Sequence, residues 1–229
     1  IQRLQKLSNG ELDMAVFTID ALMKASAEIK DTPATIVALI DETKGADAMM
    51  ASKVRFPNID SLNSESLKIV CVKDSPSETL ARVVMANFNL DKLPENPFEF
   101  MDNMDSVYQN YQTSKPNENK VFVLWEPYVS KIADNPDYHI LVDSSKFSGF
   151  ILDVIVVRRG FLVQNQTLVE NVVKSYLRSM FDNRSKMIQM ISDDAKSCGS
   201  PLKPEQVQKL LEKIWWKNTQ ENFSHFGLT

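Results

Sequence analysis

Glycine, cysteine and histidine are all scarce in this sequence. The chain of 229 residues contains 6 glycines, 2 cysteines and 2 histidines. So few glycines argue against a glycine-rich phosphate loop, and neither a Walker A motif nor a G-x-G-x-x-G motif occurs. A G-x-S-x-G nucleophile elbow and an H-E-x-x-H metal motif are also lacking. Two distant cysteines without a histidine cluster give no zinc signature. These absences argue against the common enzyme motifs, although a Ser-His-Asp triad stays open with two histidines, and we expect no cofactor, no metal and no catalytic activity.

Basic charge and long apolar runs are lacking too. The 26 Lys and Arg residues are outnumbered by 30 Asp and Glu residues, for a formal net charge of −4. A nucleic-acid-binding protein normally shows a basic excess, so no nucleic-acid partner is expected. No apolar run approaches the roughly 20 residues that cross a bilayer. The hydrophobic share of 43% is typical of a globular protein, and the length suits one large domain or two small lobes.

The cysteines and the first residues give little information on compartment. Cys71 lies in the apolar run 67–72, which predicts a small buried side chain. Cys198 follows a predicted helix, and spacing alone does not decide whether the two cysteines pair. The chain opens at Ile1 with the pattern of a helix already under way and without an initiator methionine. We interpret it as a processed or truncated chain.

Short apolar segments rich in β-branched residues alternate with helical stripes. The strand-like segments are residues 35–40, 67–72, 121–125, 140–142 and 151–157. Because they show little polar alternation, they suit strands covered on both faces, as in a parallel sheet. A helical stripe precedes them at Leu12, Val16, Ile19, Leu22 and Met23, and another follows Pro76. This pattern predicts an α/β protein.

The last third of the chain differs from the rest. Two apolar stripes at helical spacing occupy residues 168–181 and, after Pro204, residues 207–215. No strand is predicted beyond Val157. Strands followed by a helical tail suggest that the tail packs back onto an earlier sheet.

Polar residues at strand ends are the candidate binding residues. Ser75 and Ser77 follow the strand ending at Val72 and open a helix, whose free N–H groups attract anions or polar ligand groups. Trp125 and Glu126 stand at the carboxyl end of another strand, where open α/β sheets bind ligands. Each pair also has a purely structural interpretation, as a helix cap or as a packed tryptophan beside a solvated carboxylate.

Three aspartates, together with Phe17 and Thr18 before the first of them, complete the set of candidate binding residues. Thr18 and Asp20, after Phe17, are placed to cap the following helix. Asp41 follows the strand at residues 35–40. Asp153 interrupts an apolar strand, where a carboxylate needs a partner or water, so it is the more unusual of the two.

The ordered set of these segments resembles a known family. Residues 10–22, 36–48, 67–77, 125–127 and 153–162 resemble, in family order, segments of the periplasmic solute-binding proteins of ABC importers. The similar branch serves nitrate, sulfonate or taurine, bicarbonate and thiamine-pyrimidine precursors. One departure is Asp74, which stands where the family has glycine. Another is that the strand–helix–strand with which the family begins is missing.

The resemblance implies a two-lobed type II periplasmic-binding-protein-like fold with a helical C-terminal tail. Lobe one would comprise residues 1–53 and 152–229, and lobe two residues 54–151. The ligand would lie between the lobes. The residues carried over as ligand-binding are Phe17, Thr18, Asp20, Asp41, Ser75, Ser77, Trp125, Glu126 and Asp153. The implied partners are a small-molecule ligand and a membrane permease, for a monomer that is periplasmic or anchored outside the cytoplasm.

The charges of the carried-over residues bear on the ligand. They include four carboxylates, and no basic residue can be placed beside them from the sequence. Buried carboxylates are costly without a partner. We therefore expect a small polar organic solute of zwitterionic, sulfonate-like or pyrimidine-like chemistry, in preference to nitrate or phosphate. Two alternatives stay open: a ligand-sensing domain of a larger receptor, and an enzyme similar to the pyrimidine-precursor synthases, which carry a cysteine cluster that this chain lacks.

Overall fold

The computed structural model describes residues 2–228, in which helices and strands alternate through the first two thirds. The elements of that part are α1 (Gln2–Ser8), β1 (Met14–Thr18), α2 (Ile19–Ile29), β2 (Ala34–Thr43), β3 (Asp47–Ser52), β4 (Lys68–Val72), α3 (Pro76–Asn87), β5 (Phe98–Met101), α4 (Met104–Thr113), β6 (Lys120–Trp125), α5 (Tyr128–Ala133), β7 (Tyr138–Asp143) and β8 (Leu152–Arg158). The predicted alternation of an α/β protein is therefore present.

The remaining part is mainly helical. It consists of α6 (Arg159–Gln164), α7 (Gln166–Asp182), α8 (Met187–Ser197), α9 (Pro204–Glu212), β9 (Ile214–Trp216) and α10 (Thr219–His225). The prediction of no strand beyond Val157 is wrong, because the predicted second stripe breaks after Glu212 and its end forms β9. Two adjacent tryptophans after isoleucine favour an extended backbone.

The chain folds as two compact units. The first contains Ile1–Glu42 and Leu152–Thr229, and the second contains Thr43–Ile151. The division after Glu42 differs from the expected boundary at residue 53. The reason is β3, which pairs with β6 and β7 in the second unit and so takes its residues with it.

The sheet of the first unit has the strand order β1-β8-β2-β9. Strand β8 runs antiparallel to both β1 and β2, so the sheet is not parallel as the sequence suggested. Helices α1 and α2 cover one face, where Leu7, Leu22 and Val154 belong to one core. Residues 14–18 form a strand and not part of the predicted helical stripe, because Ala15 and Phe17 point to this core while Val16 is exposed.

The sheet of the second unit is mixed, with the order β5-β4-β6-β3-β7. Strand β4 is parallel to β5 and β6, whereas β3 is antiparallel to β6 and β7. Four successive β6 residues are buried, and they alternate between two cores on opposite faces of the sheet: Val121 and Val123 in one, Phe122 and Leu124 in the other. The interpretation of the uniformly apolar runs as strands covered on both faces is confirmed here.

The two cysteines have different surroundings. Cys71 is fully buried in β4, as predicted, and Cys198 is exposed after α8. Neither takes part in a disulfide in the part of the chain that the structure describes.

Candidate functional site

A row of polar residues crosses three strands of the first unit. Asp153, near the start of β8, lies opposite Thr18 at the end of β1 and opposite Asp41 on β2. Residues directly opposite one another in antiparallel strands project from the same face of the sheet. The structure therefore brings together three of the predicted residues at one edge of the sheet, although 135 positions separate Thr18 from Asp153 in the sequence.

Asp20 joins this row from the first turn of α2. Thr18 is the N-cap residue of α2, but its side chain makes no capping hydrogen bond, so the predicted capping role is not filled by its hydroxyl. Burial, and then the negative charge of Asp20, raise the pKa of the Asp153 carboxyl. The ionised form of Asp153 is therefore disfavoured by its surroundings, as expected for like charges held near each other.

Tyr176 is a further member of the site that sequence reasoning missed. It lies on α7, and its pKa is raised to about 12 by burial and then by the charges of Asp41 and Asp153. We call this set the carboxylate row: the carboxylates of Asp20, Asp41 and Asp153, with the hydroxyls of Thr18 and Tyr176 beside them. In the sequence Tyr176 is one member of an apolar helical stripe, and no local signal separates it from the core residues beside it.

A basic residue also lies on α2, contrary to the expectation that none could be placed. Lys24 follows Asp20 by one helical turn, the spacing at which oppositely charged side chains meet on a helix. Two other carboxylates, Asp41 and Asp153, belong to the row, so the acids still outnumber this lysine. The row keeps an excess of negative charge.

In the second unit, Ser75 and Ser77 begin α3 at the end of β4. The Ser75 hydroxyl donates to the carbonyl of Val72 (2.6 Å) and makes no capping hydrogen bond. The capping contact comes instead from Glu78, whose Oε2 accepts from the Asp74 N–H (2.7 Å). Ser77 is 0% exposed, and its hydroxyl has no hydrogen-bond partner. A buried hydroxyl beside the N-terminus of a helix is suited to a polar acceptor group of a ligand.

The backbone conformation of Asp74 accounts for the glycine that the similar family has at this position. Its φ is 52°, in the left-handed region that glycine adopts without steric cost and that aspartate tolerates better than most residues. The turn between β4 and α3 therefore contains a left-handed residue that carries a carboxylate.

Trp125 and Glu126 end the neighbouring strand β6, which is parallel to β4, so they lie at the same end of this sheet as Ser75. The Glu126 carboxylate accepts hydrogen bonds from the N–H (3.1 Å) and the hydroxyl (2.9 Å) of Ser130. It thus stabilises the first turn of α5. Trp125 is half-buried and packs against a core of this unit. Their predicted role in binding competes with these structural roles.

Phe17 has a packing role in the structure. It is buried in the core of the first unit, and the Arg3 guanidinium lies 5.4 Å from its ring centre. Its side chain therefore faces the core side of β1, and this placement favours the structural interpretation over contact with a ligand.

The first unit also contains a cavity of about 1280 Å³ among its C-terminal elements. Apolar and aromatic side chains of α7, α8 and β9 line it together with charged ones such as Glu170, Lys174 and Arg178, and none of the nine predicted residues does. The cavity and the carboxylate row are therefore separate features, and only the row contains predicted residues. The candidate site is therefore the polar residues and not this cavity.

Two further findings concern the described residues 2–228. None of their helices combines the length and the apolar character needed to cross a membrane. No group of three or more His, Cys, Asp or Glu side chains among them is arranged to hold a metal ion.

No family model matches the sequence, and no curated protein matches it. Solved structures do match. The periplasmic aliphatic sulphonate binding protein SsuA from Escherichia coli is 16% identical, with a TM-score of 0.68 over 96% of this chain and 70% of its own. The Candida albicans CA3427 gene product, which defines a family with the generic periplasmic binding protein fold, is 11% identical, with a TM-score of 0.71 over 99% of this chain and 76% of its own.

The alkanesulfonate-binding protein SsuA from Xanthomonas axonopodis pv. citri, bound to MOPS, is a third similar structure. It is 14% identical, with a TM-score of 0.65 over 99% of this chain and 80% of its own. At such identities the likeness establishes the fold. This chain has the periplasmic binding protein fold, and the fold that the sequence resemblance implied is confirmed.

Proposed function

We propose that the chain is a solute-binding protein without catalytic activity, which captures a small zwitterionic organic solute for an ABC importer. The carboxylate row of the first unit would contact the cationic group of the solute. Considered by itself, the start of α3 in the second unit, with Ser75 and Ser77, is suited to an anionic group. An aminosulfonate is one class of solute that carries both groups.

The observation that carries the proposal is the placement of Asp153 opposite both Thr18 and Asp41. Like charges directly opposite each other in a sheet are destabilising, and burial adds to the cost. Both burial and Asp20 already raise the pKa of Asp153. A bound ammonium group would offset these costs, whereas a simple anion would increase them. Nitrate and phosphate are therefore poor candidates.

The anionic end of the solute is argued from Ser77. Its hydroxyl is buried without a partner, a state that costs free energy unless a ligand supplies the missing hydrogen bond. The N-terminus of α3 adds a favourable dipole for a negative group. Asp74 opposes a small isolated anion at this end, so the anionic group should be one part of a larger solute. The sulfonate-binding neighbours support this choice, and MOPS, bound to one of them, itself carries both a sulfonate and an amine.

A thermal-shift panel on the purified chain tests the proposal. The probes are taurine, MOPS, methanesulfonate, ethanolamine, an aminomethylpyrimidine, nitrate and phosphate. A solute present at a hundred times its dissociation constant stabilises by about 2.7 kcal/mol, which corresponds to about 5–10 °C at this chain length. We expect that shift with taurine or MOPS. Stabilisation by nitrate or phosphate, with none from the amines, sulfonates or pyrimidine, would contradict the proposal.

Site variants show whether a stabilising solute binds where we propose. Asp153→Asn should abolish or greatly weaken the shift if the carboxylate row binds the solute, since it removes a carboxylate. Ser77→Ala should do so if the start of α3 binds it, since it removes the buried hydroxyl. Asp193→Asn is the matched control, because Asp193 is an exposed aspartate on α8. Equal shifts in all three variants would place the solute elsewhere.

A ligand-binding protein that serves no importer is the second candidate function. It is favoured by the similarity to the Candida albicans protein, which defines a new family with the generic periplasmic binding protein fold. The two candidates differ in their partner and location. Crosslinking the full-length protein in its native cells should recover an ABC permease at the outer face of the membrane if it serves an importer. Recovery of a fused or bound signalling domain would favour a sensor.

A further inference from the structure

A β-bulge in β2 decides which side chain lies opposite Asp153. Leu39 lies opposite Val154, so in a regular ladder Ile40 would lie opposite Asp153. The register shifts at this point, and Asp41 takes that place. Since a slip of one residue turns every side chain to the other face of a sheet, the bulge at Ile40 is what adds Asp41 to the carboxylate row.

The C-terminal part of the chain binds β2 on both sides of the bulge. Before it, the Asn222 side chain accepts from the Leu39 N–H (2.7 Å) and donates to the Leu39 carbonyl (3.1 Å). At the bulge, the Lys217 N–H donates to the Ile40 carbonyl (2.9 Å). After it, the Lys217 ammonium donates to Glu42 Oε2 (2.7 Å). These contacts flank Asp41 directly, and we call residues 214–222 the C-terminal clasp.

The clasp is itself held in place by buried and capped groups. Lys217 and Asn222 are both buried. Asn218 and Glu221 form a capping box at the start of α10, and Trp215 Nε1 donates to Glu221 Oε1 (2.6 Å). The Lys217 ammonium also lies 3.4 Å from the centre of the Trp215 ring. A contact network of this kind restricts the backbone that it binds.

We propose that Lys217 and Asn222 are positioning residues of the solute site, which hold the β2 bulge at Ile40 and thereby keep the Asp41 carboxylate opposite Asp153. Neither residue contacts the solute in this arrangement. The proposal rests on the proposed function for its biological meaning, but the geometry that it describes can be measured without any ligand.

The test measures the interaction between Asp41 and Asp153 by a double-mutant cycle in thermal unfolding at pH 8. Opposed carboxylates repel, so Asp153→Asn should raise the melting temperature more when Asp41 is present than in the Asp41→Asn background. The cycle is then repeated in Asn222→Ala. In each background, the gain is the rise in melting temperature that Asp153→Asn causes. If the clasp holds the bulge, the gain with Asp41 present should exceed the gain in the Asp41→Asn background by less than half as much as it does in the wild type.

Val207→Ala is the control for general loss of stability, since Val207 is fully buried in α9 and makes no side-chain hydrogen bond to β2. It should lower the melting temperature. The gain from Asp153→Asn should still differ between the Asp41 and Asp41→Asn backgrounds by as much as in the wild type. If Asn222→Ala does not fold, Lys217→Met replaces it in the same cycle. A difference that persists unchanged in the clasp variant overturns the proposal. A solute panel without any stabilising probe would overturn the proposed function alone.

Discussion

The ion pair between Lys217 and Glu42 offers the sharpest test of how the C-terminal segment stabilises the first unit. The two charged atoms are 2.7 Å apart, and the side chains are only 1% and 6% exposed. Replacing Lys217 by methionine preserves much of the buried aliphatic stem and removes the ammonium. The buried Glu42 carboxylate then loses the Lys217 ammonium.

Two free energies bound the loss of stability expected in Lys217→Met. Removing one partner of a buried ion pair typically costs about 3–5 kcal/mol. The variant can reduce the cost by protonating Glu42, and the free energy needed to protonate a glutamate of ordinary pKa at pH 7 is about 3.7 kcal/mol. At pH 5.5 the same step costs about 1.6 kcal/mol. The loss of stability should therefore be close to 3–4 kcal/mol at pH 7 and should shrink by about 1.4 kcal/mol per pH unit as the pH falls.

The sign of this pH dependence is fixed by proton linkage. A carboxyl that is protonated in the folded variant and ionised in the unfolded chain binds more protons in the folded state. The stability of the variant then falls as the pH rises above the unfolded pKa, and it recovers as the pH falls towards it.

Urea unfolding of the wild type and Lys217→Met at pH 7 and pH 5.5 measures both effects. Lys217→Met with Glu42→Gln should recover most of the loss at pH 7, because both charges of this buried pair are then removed together. The matched control is Lys174→Met, because Lys174 and its ion-pair partner Glu170 (2.6 Å) are 70% and 60% exposed and solvent screens the pair, so its loss should change stability little. A loss in Lys217→Met no larger than in this control, or one that does not change with pH, would refute the reasoning.

Three further predictions follow from the site and the core. Asp153→Asn should raise the free energy of unfolding at neutral pH and leave it unchanged below pH 3.8. The reason is that burial and Asp20 raise the pKa of Asp153, so its ionised form costs stability. Urea melts over a pH series check this. Tyr176→Phe should keep the fold and weaken the binding of a stabilising solute, which calorimetric titration measures; an unchanged affinity would remove Tyr176 from the site. Cys198 should react rapidly with a thiol reagent and Cys71 only on unfolding, and equal rates in the native protein would contradict the burial of Cys71.

The sequence predicted the inner strands better than the edges of the sheets. Residues 67–72 and 121–125 lie within or beside β4 and β6, because consecutive β-branched and apolar residues are what a strand covered on both faces requires. Strand β1 was wrongly predicted as helical. It is five residues long, and its inward Phe17 and outward Val16 alternate over too short a span to outweigh the helical spacing with Ile19 and Leu22.

The candidate site was predicted only in part, for a different reason. Strand ends and an aspartate within an apolar strand are local features, so Thr18, Asp41 and Asp153 could be found. Tyr176 approaches them only through the packing of α7, and the bulge at Ile40 exists only relative to the register of β8. Both depend on contacts between residues far apart in the sequence, which periodicity and spacing do not record.

The row of carboxylates is hard to explain as a device for stability. An apolar side chain in place of Asp153 would continue the buried run of β8, and burial and the like charge of Asp20 raise the pKa of Asp153 and so make its ionised form less favourable. Proteins depart from such packing rules mostly at functional sites. The bulge strengthens this argument, because a regular ladder would have placed Ile40 opposite Asp153 and kept Asp41 out of the row. A backbone irregularity that brings Asp41 opposite Asp153, flanked by buried polar contacts from the C-terminal clasp, is therefore the feature on which the proposed contact with a cationic group of the solute rests.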